Sequence, residues 1–213
     1  MTARGWTRAD VAAVLREPTA SDDKYSRGVV GVRTGSAAYP GAAVLGVEAA
    51  WRTGVGMVRY VGDTRAEDLV LARRPETVTA VGRVQAWLIG SGTDAASRSA
   101  EETAALGALL AGDIPVVVDA GALDLAPAAS VPLIVTPHDR EHARLREALG
   151  LAPDDADAVA ETAAALGGVV VRKGATTLVA DPSGEVIALD APTSWLATAG
   201  TGDVLAGIIG ALA

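Results

Sequence analysis

Short runs of β-branched apolar residues recur along the chain and are separated by alanine-rich stretches of helical character. A run such as PVVVD at 115–119 is apolar without alternation, which is typical of a strand buried on both faces of a parallel sheet covered by helices. The sequence predicts eight strands: Val29–Arg33, Gly56–Val61, Ala86–Ile89, Pro115–Val118, Leu133–Thr136, Val169–Arg172, Thr177–Ala180 and Glu185–Leu189.

Helical patterns fill the intervals between these strands. They cover Arg8–Arg16, Ala42–Arg52, Arg65–Arg73, Ala96–Ala111, Arg140–Leu149, Asp155–Leu166 and the chain from Thr201 onward. The last two strands are joined by the turn residues Asp181-Pro182-Ser183-Gly184, which predict an antiparallel hairpin at one edge of the sheet. With no repeat and no linker visible, the sequence predicts a single α/β domain over residues 1–213.

Composition and charge exclude several classes of function. The chain has 18 Lys+Arg and 26 Asp+Glu, a net charge of −8, so it lacks the basic surface of a protein that binds nucleic acid or an anionic membrane. Without cysteine it has no disulfide, thiolate zinc site or cysteine nucleophile. The longest apolar run, 204–213, is shorter than the ~20 residues of a membrane span, and no signal peptide is visible. We expect a cytoplasmic protein that acts on small molecules.

The strongest local motif is Ala199-Gly200-Thr201-Gly202-Asp203, directly before the last helix. Its glycines let backbone N–H groups converge, and the helix N-terminus adds partial positive charge, which predicts an anion hole for a transferring phosphoryl group. Asp203 would then orient a substrate hydroxyl. The alternative is that Asp203 is only a favourable first-turn acid. The helix dipole is expected to lower the pKa of Asp203, so that it would act by orientation more than as a strong base.

Three other strand ends each have two interpretations. Lys173, one of only two lysines, precedes a glycine and is either a phosphate contact or a solvated loop cation. The run from Gly90 to Ala95 matches the dinucleotide fingerprint G-x-G-x-x-A, but a tight strand-to-helix turn explains it equally well. Asp119 is too distant for the acid of that fingerprint, and it either serves the site or caps its own turn.

Residues 138–142 match the zinc-protease pattern H-x-x-E-H. Pro137 places His138 at a strand-to-helix junction, whereas that chemistry needs both histidines one turn apart on a helix. The sequence therefore disfavours a zinc site and predicts that His142 is an exposed helix residue. Trp195 lies close to the Gly200–Asp203 loop and is a candidate for bordering a ligand.

In chain order these loops resemble the ADP- or ATP-dependent NAD(P)H-hydrate dehydratases, within the ribokinase-like fold of three α/β/α layers. The resemblance begins at Lys24-Tyr25-Ser26-Arg27-Gly28 and continues to the end of the chain. It rests on six motifs in the family's order: Pro40-Gly41-Ala42-Ala43, Gly90-Ser91-Gly92, Asp119-Ala120-Gly121-Ala122-Leu123, Thr136-Pro137-His138 with Glu141, Lys173-Gly174-Ala175, and Leu196-Ala197-Thr198-Ala199-Gly200-Thr201-Gly202-Asp203.

In that family a nucleotide phosphorylates the hydroxyl of hydrated NADH or NADPH, and phosphate then leaves to regenerate the dihydronicotinamide. The resemblance implies ATP or ADP as donor, Mg²⁺ to neutralise the phosphates, and Asp203 as the catalytic residue that orients the C6 hydroxyl. It implies that the hydrated dinucleotide contacts Ala42, Gly92, His138 and Asp203. It implies that the adenine nucleotide contacts Lys173, Gly174, Ala175, Thr176, Thr177 and Gly202.

The chain also departs from the family pattern. Ser91 stands where proline is common, and Asp139-Arg140 replaces a common Pro-Gly after the histidine. The family's fused epimerase domain and its further helices, beyond the one that begins at Thr201, are expected to be absent. We expect a homo-oligomer. Two alternatives stay open: a small-molecule kinase of the same fold, and a non-catalytic nucleotide-binding module.

Overall fold

The computed structural model describes residues 5–153 and 158–213. Within these ranges eight strands form one sheet: β1 (Val29–Arg33), β2 (Met57–Tyr60), β3 (Ala86–Ile89), β4 (Val116–Val118), β5 (Leu133–Val135), β6 (Val169–Arg172), β7 (Thr176–Ala180) and β8 (Val186–Asp190). Their spatial order is β2-β1-β3-β4-β5-β6-β7-β8. The first six strands pair in parallel, and β7 and β8 are antiparallel. The mostly parallel sheet and the late hairpin are both confirmed.

Six of the seven helices in the described residues cover the two faces of the sheet, whereas the N-terminal helix has no buried residue. The seven are α1 (Arg8–Val14), α2 (Pro40–Thr53), α3 (Thr64–Arg73), α4 (Ala100–Leu110), α5 (Asp139–Ala148), α6 (Ala158–Leu166) and α7 (Thr201–Leu212). One core cluster joins α2, α3 and α7 to β1–β4, and a second joins α4, α5 and α6 to β3–β7. The predicted three-layer α/β/α architecture is therefore confirmed. None of the helices in the described ranges has the length and apolarity needed to cross a bilayer.

Two of the differences from the sequence prediction have local causes. The fourth helix begins at Ala100, not Ala96, because Asp94 closes a separate turn (Ala96 N–H to Asp94 Oδ1, 3.0 Å) and Ser99 caps the helix. The segment Ala120–Ala128 after β4 is a 3₁₀ helix, where the sequence predicts no helix or strand. The predicted start of the sixth helix, Asp155, lies outside the described residues.

The middle of α7 packs tightly against α2, and glycine makes this possible. A Cβ on Gly207 would lie 2.3 Å from the carbonyl oxygen of Gly46 on α2. The two backbones therefore approach more closely than any side chain would permit. This packing fixes the start of α7 relative to the strand ends.

Replacing Gly207 with Ala is expected to destabilise the fold by about 1–3 kcal/mol through overpacking of α2 against α7. Gly107 on α4 is the matched control, because a Cβ there meets nothing within 4 Å. Gly107→Ala should stabilise the protein by about 0.5–1 kcal/mol, since alanine is the better helix former. Urea unfolding of both variants measures the difference, and equal midpoints would contradict the proposed close approach.

Candidate active site

The N-terminus of α7 presents unpaired backbone donors at the carboxyl edge of the sheet. Gly200 is its N-cap, with φ of 91°, a left-handed conformation that glycine adopts without strain. Thr201 N–H bonds to Thr198 O and Val204 N–H bonds to Gly200 O. Between them, the amides of Gly202 and Asp203 find no acceptor in the described part of the chain. Two adjacent free N–H groups at a helix N-terminus form an anion site.

Lys173 brings a cation to the same place. Its backbone N–H bonds to Pro137 O (2.8 Å), which joins the ends of β5 and β6. Its Nζ lies 3.4 Å from where a Cβ of Gly202 would be. The ammonium also donates to Asp119 Oδ1 at 2.7 Å. Lys173 is thus held at the glycine loop, and the interpretation as a free, solvated loop cation is wrong.

Asp119 is the buried centre of this arrangement. Its Oδ1 accepts from Thr136 Oγ1 at 2.7 Å, and its Oδ2 accepts from Ser91 Oγ at 2.8 Å. The Asp119 side chain is 3% exposed, whereas that of Lys173 is 20% exposed. Asp119 supplies no side-chain cap to the 3₁₀ segment that follows it. Of the two roles considered for Asp119, service to the site is the one its contacts favour.

Asp203, in the first turn of α7, is half-buried, and no hydrogen bond to its carboxylate is present among the described residues. Burial raises the pKa of Asp203, the negative charge of Asp119 raises it further, and Lys173 lowers it by less. The expectation that the helix dipole would lower the pKa of Asp203 is therefore wrong, because desolvation and a like charge outweigh the favourable terms. Asp203 is a better proton acceptor than the sequence alone suggested.

Ala42 and Gly92 lie against each other beside the start of α2. A Cβ on Gly92, whose φ is 66°, would meet the Ala42 Cβ at 2.3 Å and Tyr39 O at 2.9 Å. A glycine is required at this position, so the interpretation of Gly90–Ala95 as a tight turn has a clear structural basis. The contact brings the loop after β3 to the N-terminal turn of α2.

Two cavities, of about 420 and 590 Å³, flank the loop after Gly92 and share Thr93 and Asp94 as lining residues. The first extends towards Arg144 on α5, and the second towards Gly35 after β1. Asp203 and Lys173 line neither cavity. The two cavities adjoin at Thr93 and Asp94, and both lie beside loops that follow strand ends.

The structure separates the two histidines of the H-x-x-E-H pattern. His138 is the N-cap of α5: its Nδ1 accepts the Glu141 N–H at 3.3 Å, and Glu141 Oε2 accepts the His138 N–H at 2.8 Å. His142 is fully buried, with Nε2 3.0 Å from Thr162 Oγ1 on α6. The prediction that His142 is exposed is wrong, because α6 covers that face of α5. Residues 5–153 and 158–213 contain no cluster of three or more His, Asp or Glu suited to a metal ion.

The predicted nucleotide segment 173–177 comprises the tight connection between β6 and β7 and the first two residues of β7. Gly174 and Ala175 are exposed, and Ala175 O accepts the Ala191 N–H at 2.8 Å. Thr176 Oγ1 is already bonded to Asp190 Oδ1 at 2.7 Å. Thr177 follows on the opposite face of β7. Trp195 lies on a 3₁₀ turn close in sequence to the glycine loop, and it is 88% exposed.

The sequence motifs include Ser91, Asp119, Thr136 and Lys173, but they do not predict that these side chains form one hydrogen-bonded network. Ser91 and Thr136 are fully buried and are the only side chains besides Lys173 that donate to Asp119 in the described residues. A polar residue within two positions of the end of a buried strand is the signal that could have found them. It does not reveal the partners, which come from three different strands.

The fold and this site together define a ribokinase-like α/β protein. A ribokinase-like superfamily protein from Enterococcus faecalis has a TM-score of 0.86 at 25% identity, covering 98% of this chain and 78% of that one. A family model described as NAD(P)H-hydrate dehydratase matches residues 30–213. The chain belongs to the NAD(P)H-hydrate dehydratase family.

Two relatives illustrate this family. The ADP/ATP-dependent NAD(P)H-hydrate dehydratase from Bacillus subtilis, co-crystallised with ATP/Mg²⁺, has a TM-score of 0.84 at 30% identity, covering 97% of this chain and 79% of that one. A bifunctional NAD(P)H-hydrate repair enzyme from Mycobacterium tuberculosis is 46% identical over 224 residues, or 98% of this chain. The chain spans 45% of that relative's length.

Proposed function

We propose that this chain dehydrates (6S)-NAD(P)H hydrate to NAD(P)H at the expense of ADP or ATP, as a nicotinamide-nucleotide repair enzyme. The observation that carries the proposal is the meeting of Asp203, Lys173 and two free amides at the start of α7. These are a proton acceptor, a cation and an anion hole, the groups that phosphoryl transfer to an alcohol requires.

Asp203, Lys173 and the two amides can each be given a role in the reaction. The substrate's C6 hydroxyl attacks the terminal phosphorus of the nucleotide, and its proton passes to Asp203, whose raised pKa suits it to that role. The amides of Gly202 and Asp203 and the Lys173 ammonium bind the phosphoryl oxygens as charge shifts to the leaving nucleotide. The C6–O bond then breaks, and inorganic phosphate departs with the electron pair. The neighbouring ring carbon gives a proton to solvent, and the electrons of that C–H bond form the ring double bond. Hydroxide is a poor leaving group, whereas phosphate is a good one.

Mg²⁺ enters this scheme with the nucleotide, as part of the substrate. It binds phosphate oxygens, water and one or two carboxylates, and it does not need a cage of protein ligands. The donor set fits this mode, because Asp119 has its oxygens engaged while the Asp203 carboxylate is free of hydrogen bonds in the described residues. When bound, the ion would neutralise the phosphates.

Ala42, Gly92 and His138 are proposed to contact the hydrated dinucleotide, and Gly202 with residues 173–177 to contact the adenine nucleotide. The two cavities on either side of Thr93 and Asp94 support this division, since Gly92, which directly precedes Thr93, lies against Ala42. The nucleotide would approach from the β6–β7 connection. The homo-oligomeric state remains a prediction that light scattering can test.

The test is to incubate the purified chain with hydrated NADH, Mg²⁺ and either ADP or ATP, and to follow formation of NADH by absorbance. We expect NADH to appear together with one equivalent of inorganic phosphate, and with AMP from ADP or ADP from ATP. If no NADH forms and ATP is consumed by another alcohol, the chain is a small-molecule kinase. If nucleotide binds and is never cleaved, it is a binding module.

A further inference from the structure

We propose that Ser91 and Asp119 are positioning residues that hold the Lys173 ammonium at the glycine loop. One N–H of the ammonium is committed to Asp119, and the other two, which meet no acceptor among the described residues, would bind phosphoryl oxygens. This proposal deepens the function proposed above and rests on it. It concerns residues that touch neither substrate and that act through Lys173.

The contacts of Asp119 support a fixed position for its carboxylate. It accepts three hydrogen bonds, from Ser91 Oγ (2.8 Å), Thr136 Oγ1 (2.7 Å) and Lys173 Nζ (2.7 Å). The donors lie at the ends of β3, β5 and β6, and Asp119 itself follows β4. A buried carboxylate is tolerated only when its oxygens are satisfied. The two hydroxyls therefore allow Asp119 to remain a buried anion, and that anion fixes Lys173.

The Ser91 hydroxyl has no role in closing its own turn. That turn is held by backbone bonds from Gly35 N–H to Ser91 O (2.7 Å) and from Thr93 N–H to Gly90 O (3.1 Å). The side chain donates instead to Asp119 Oδ2, the oxygen that neither Thr136 nor Lys173 contacts. Removing the hydroxyl should leave the turn in place and loosen only the carboxylate.

Asp119 and Lys173 carry opposite charges beside Asp203, so their loss should change the pH dependence of the rate in opposite directions. Asp119 raises the pKa of Asp203, and Lys173 lowers it. The part of α2 that packs near Asp203, residues 40–47, has no charged side chain. Loss of Asp119 should therefore shift the acid limb of the rate to lower pH, and loss of Lys173 should shift it to higher pH. General damage to the site would not produce opposite shifts.

The experiment is a double-mutant cycle on the full chain, measuring kcat/KM for the nucleotide and its pH profile in hydrated NADH turnover. We expect about a 10–100-fold loss for Asp119→Asn and about a 3–10-fold loss for Ser91→Ala, mainly in the nucleotide KM. When Lys173→Met is already present, adding either substitution should lower kcat/KM by less than about a further 3-fold. The losses are then not additive, because the residues act through the same lysine. Asp113→Asn, at an exposed position, is the matched control for loss of a carboxylate.

Additive losses in the cycle, or acid limbs that move in the same direction, would overturn the proposal. If Asp119→Asn does not fold, the Ser91→Ala and Lys173→Met pair completes the cycle by itself. Binding of ADP–Mg²⁺ and ATP–Mg²⁺ to the unmodified chain is measured first, by calorimetry. A chain that neither binds nucleotide nor forms NADH refutes the proposed function, whereas an active chain with additive losses refutes only the positioning role.

Discussion

Replacing Asp203 with Asn is expected to lower the turnover of hydrated NADH by about 10²–10⁴-fold, the usual contribution of a general base. Asparagine keeps the shape of the side chain but does not accept the proton of the C6 hydroxyl. Nucleotide binding should weaken much less than turnover, because the Gly202 amide and Lys173 remain in place. Stopped assays of NADH formation and calorimetric binding of ATP–Mg²⁺ separate the two effects.

The pH dependence gives the same substitution a second, independent readout. Because the pKa of Asp203 is raised in the folded protein, the folded state binds more protons than the unfolded state just above the ordinary value of 3.8. Stability therefore falls as pH rises through that window, and ionised Asp203 is destabilising at neutral pH. Asp203→Asn should melt at a higher temperature at pH 7, and the difference should shrink as the pH falls towards 4.

The unmodified enzyme should lose activity as the pH falls and the Asp203 carboxylate becomes protonated. Because the pKa of Asp203 is raised, the midpoint of this loss should lie above pH 3.8. Asp113→Asn is the control for both measurements and should alter neither activity nor melting temperature. An Asp203→Asn variant with nearly full activity would remove Asp203 as proton acceptor. It would then favour the interpretation as an ordinary first-turn acid.

Lys173→Met is expected to lower kcat/KM for the nucleotide by about 10²–10³-fold, comparable to loss of one donor from an oxyanion site. Methionine matches the length of the stem but removes the charge that lies beside Gly202. It also leaves Asp119 as a buried carboxylate without its cation, so some loss of stability should accompany the loss of activity. Steady-state kinetics with varied ATP and a thermal melt measure both.

The chain contains its own control for this substitution. Lys24 is the only other lysine, and its ammonium is 5.3 Å from the centroid of the Tyr25 ring, far along the chain from the glycine loop. Lys24→Met should leave kcat/KM within about twofold, as surface substitutions usually do. Equal losses in the two variants would show that overall charge, and not the position of Lys173, matters.

Much of the fold could be predicted because its signals are local. Non-alternating apolar runs identified the buried strands, and the turn residues at Asp181–Gly184 identified the hairpin of β7 and β8. The glycine loop before α7 was found in the same way. The exact start of α4 and the 3₁₀ segment after β4 were missed, since they depend on how Asp94, Ser99 and the neighbouring loops pack.

The sequence predicts which residues lie at the candidate site but not which of them are buried or paired, and this difference has a physical cause. The residue types at each strand end, including Lys173 and Asp203, follow from the sequence, because the carboxyl ends of parallel strands meet at one edge. Burial and pairing do not follow from it. His142 matched a metal-binding pattern and proved to be a core residue only when α6 was placed over it.

The sequence by itself determined the layered α/β fold, the glycine loop and the six family motifs, all of which are short-range patterns of residue type. Only the tertiary structure decided that Asp119 bonds Lys173, 54 residues away, and Ser91, 28 residues away. It also decided the direction of the pKa shift at Asp203. Desolvation and charge–charge interactions depend on distance and burial in space, and neither quantity is encoded in the spacing of residues along the chain.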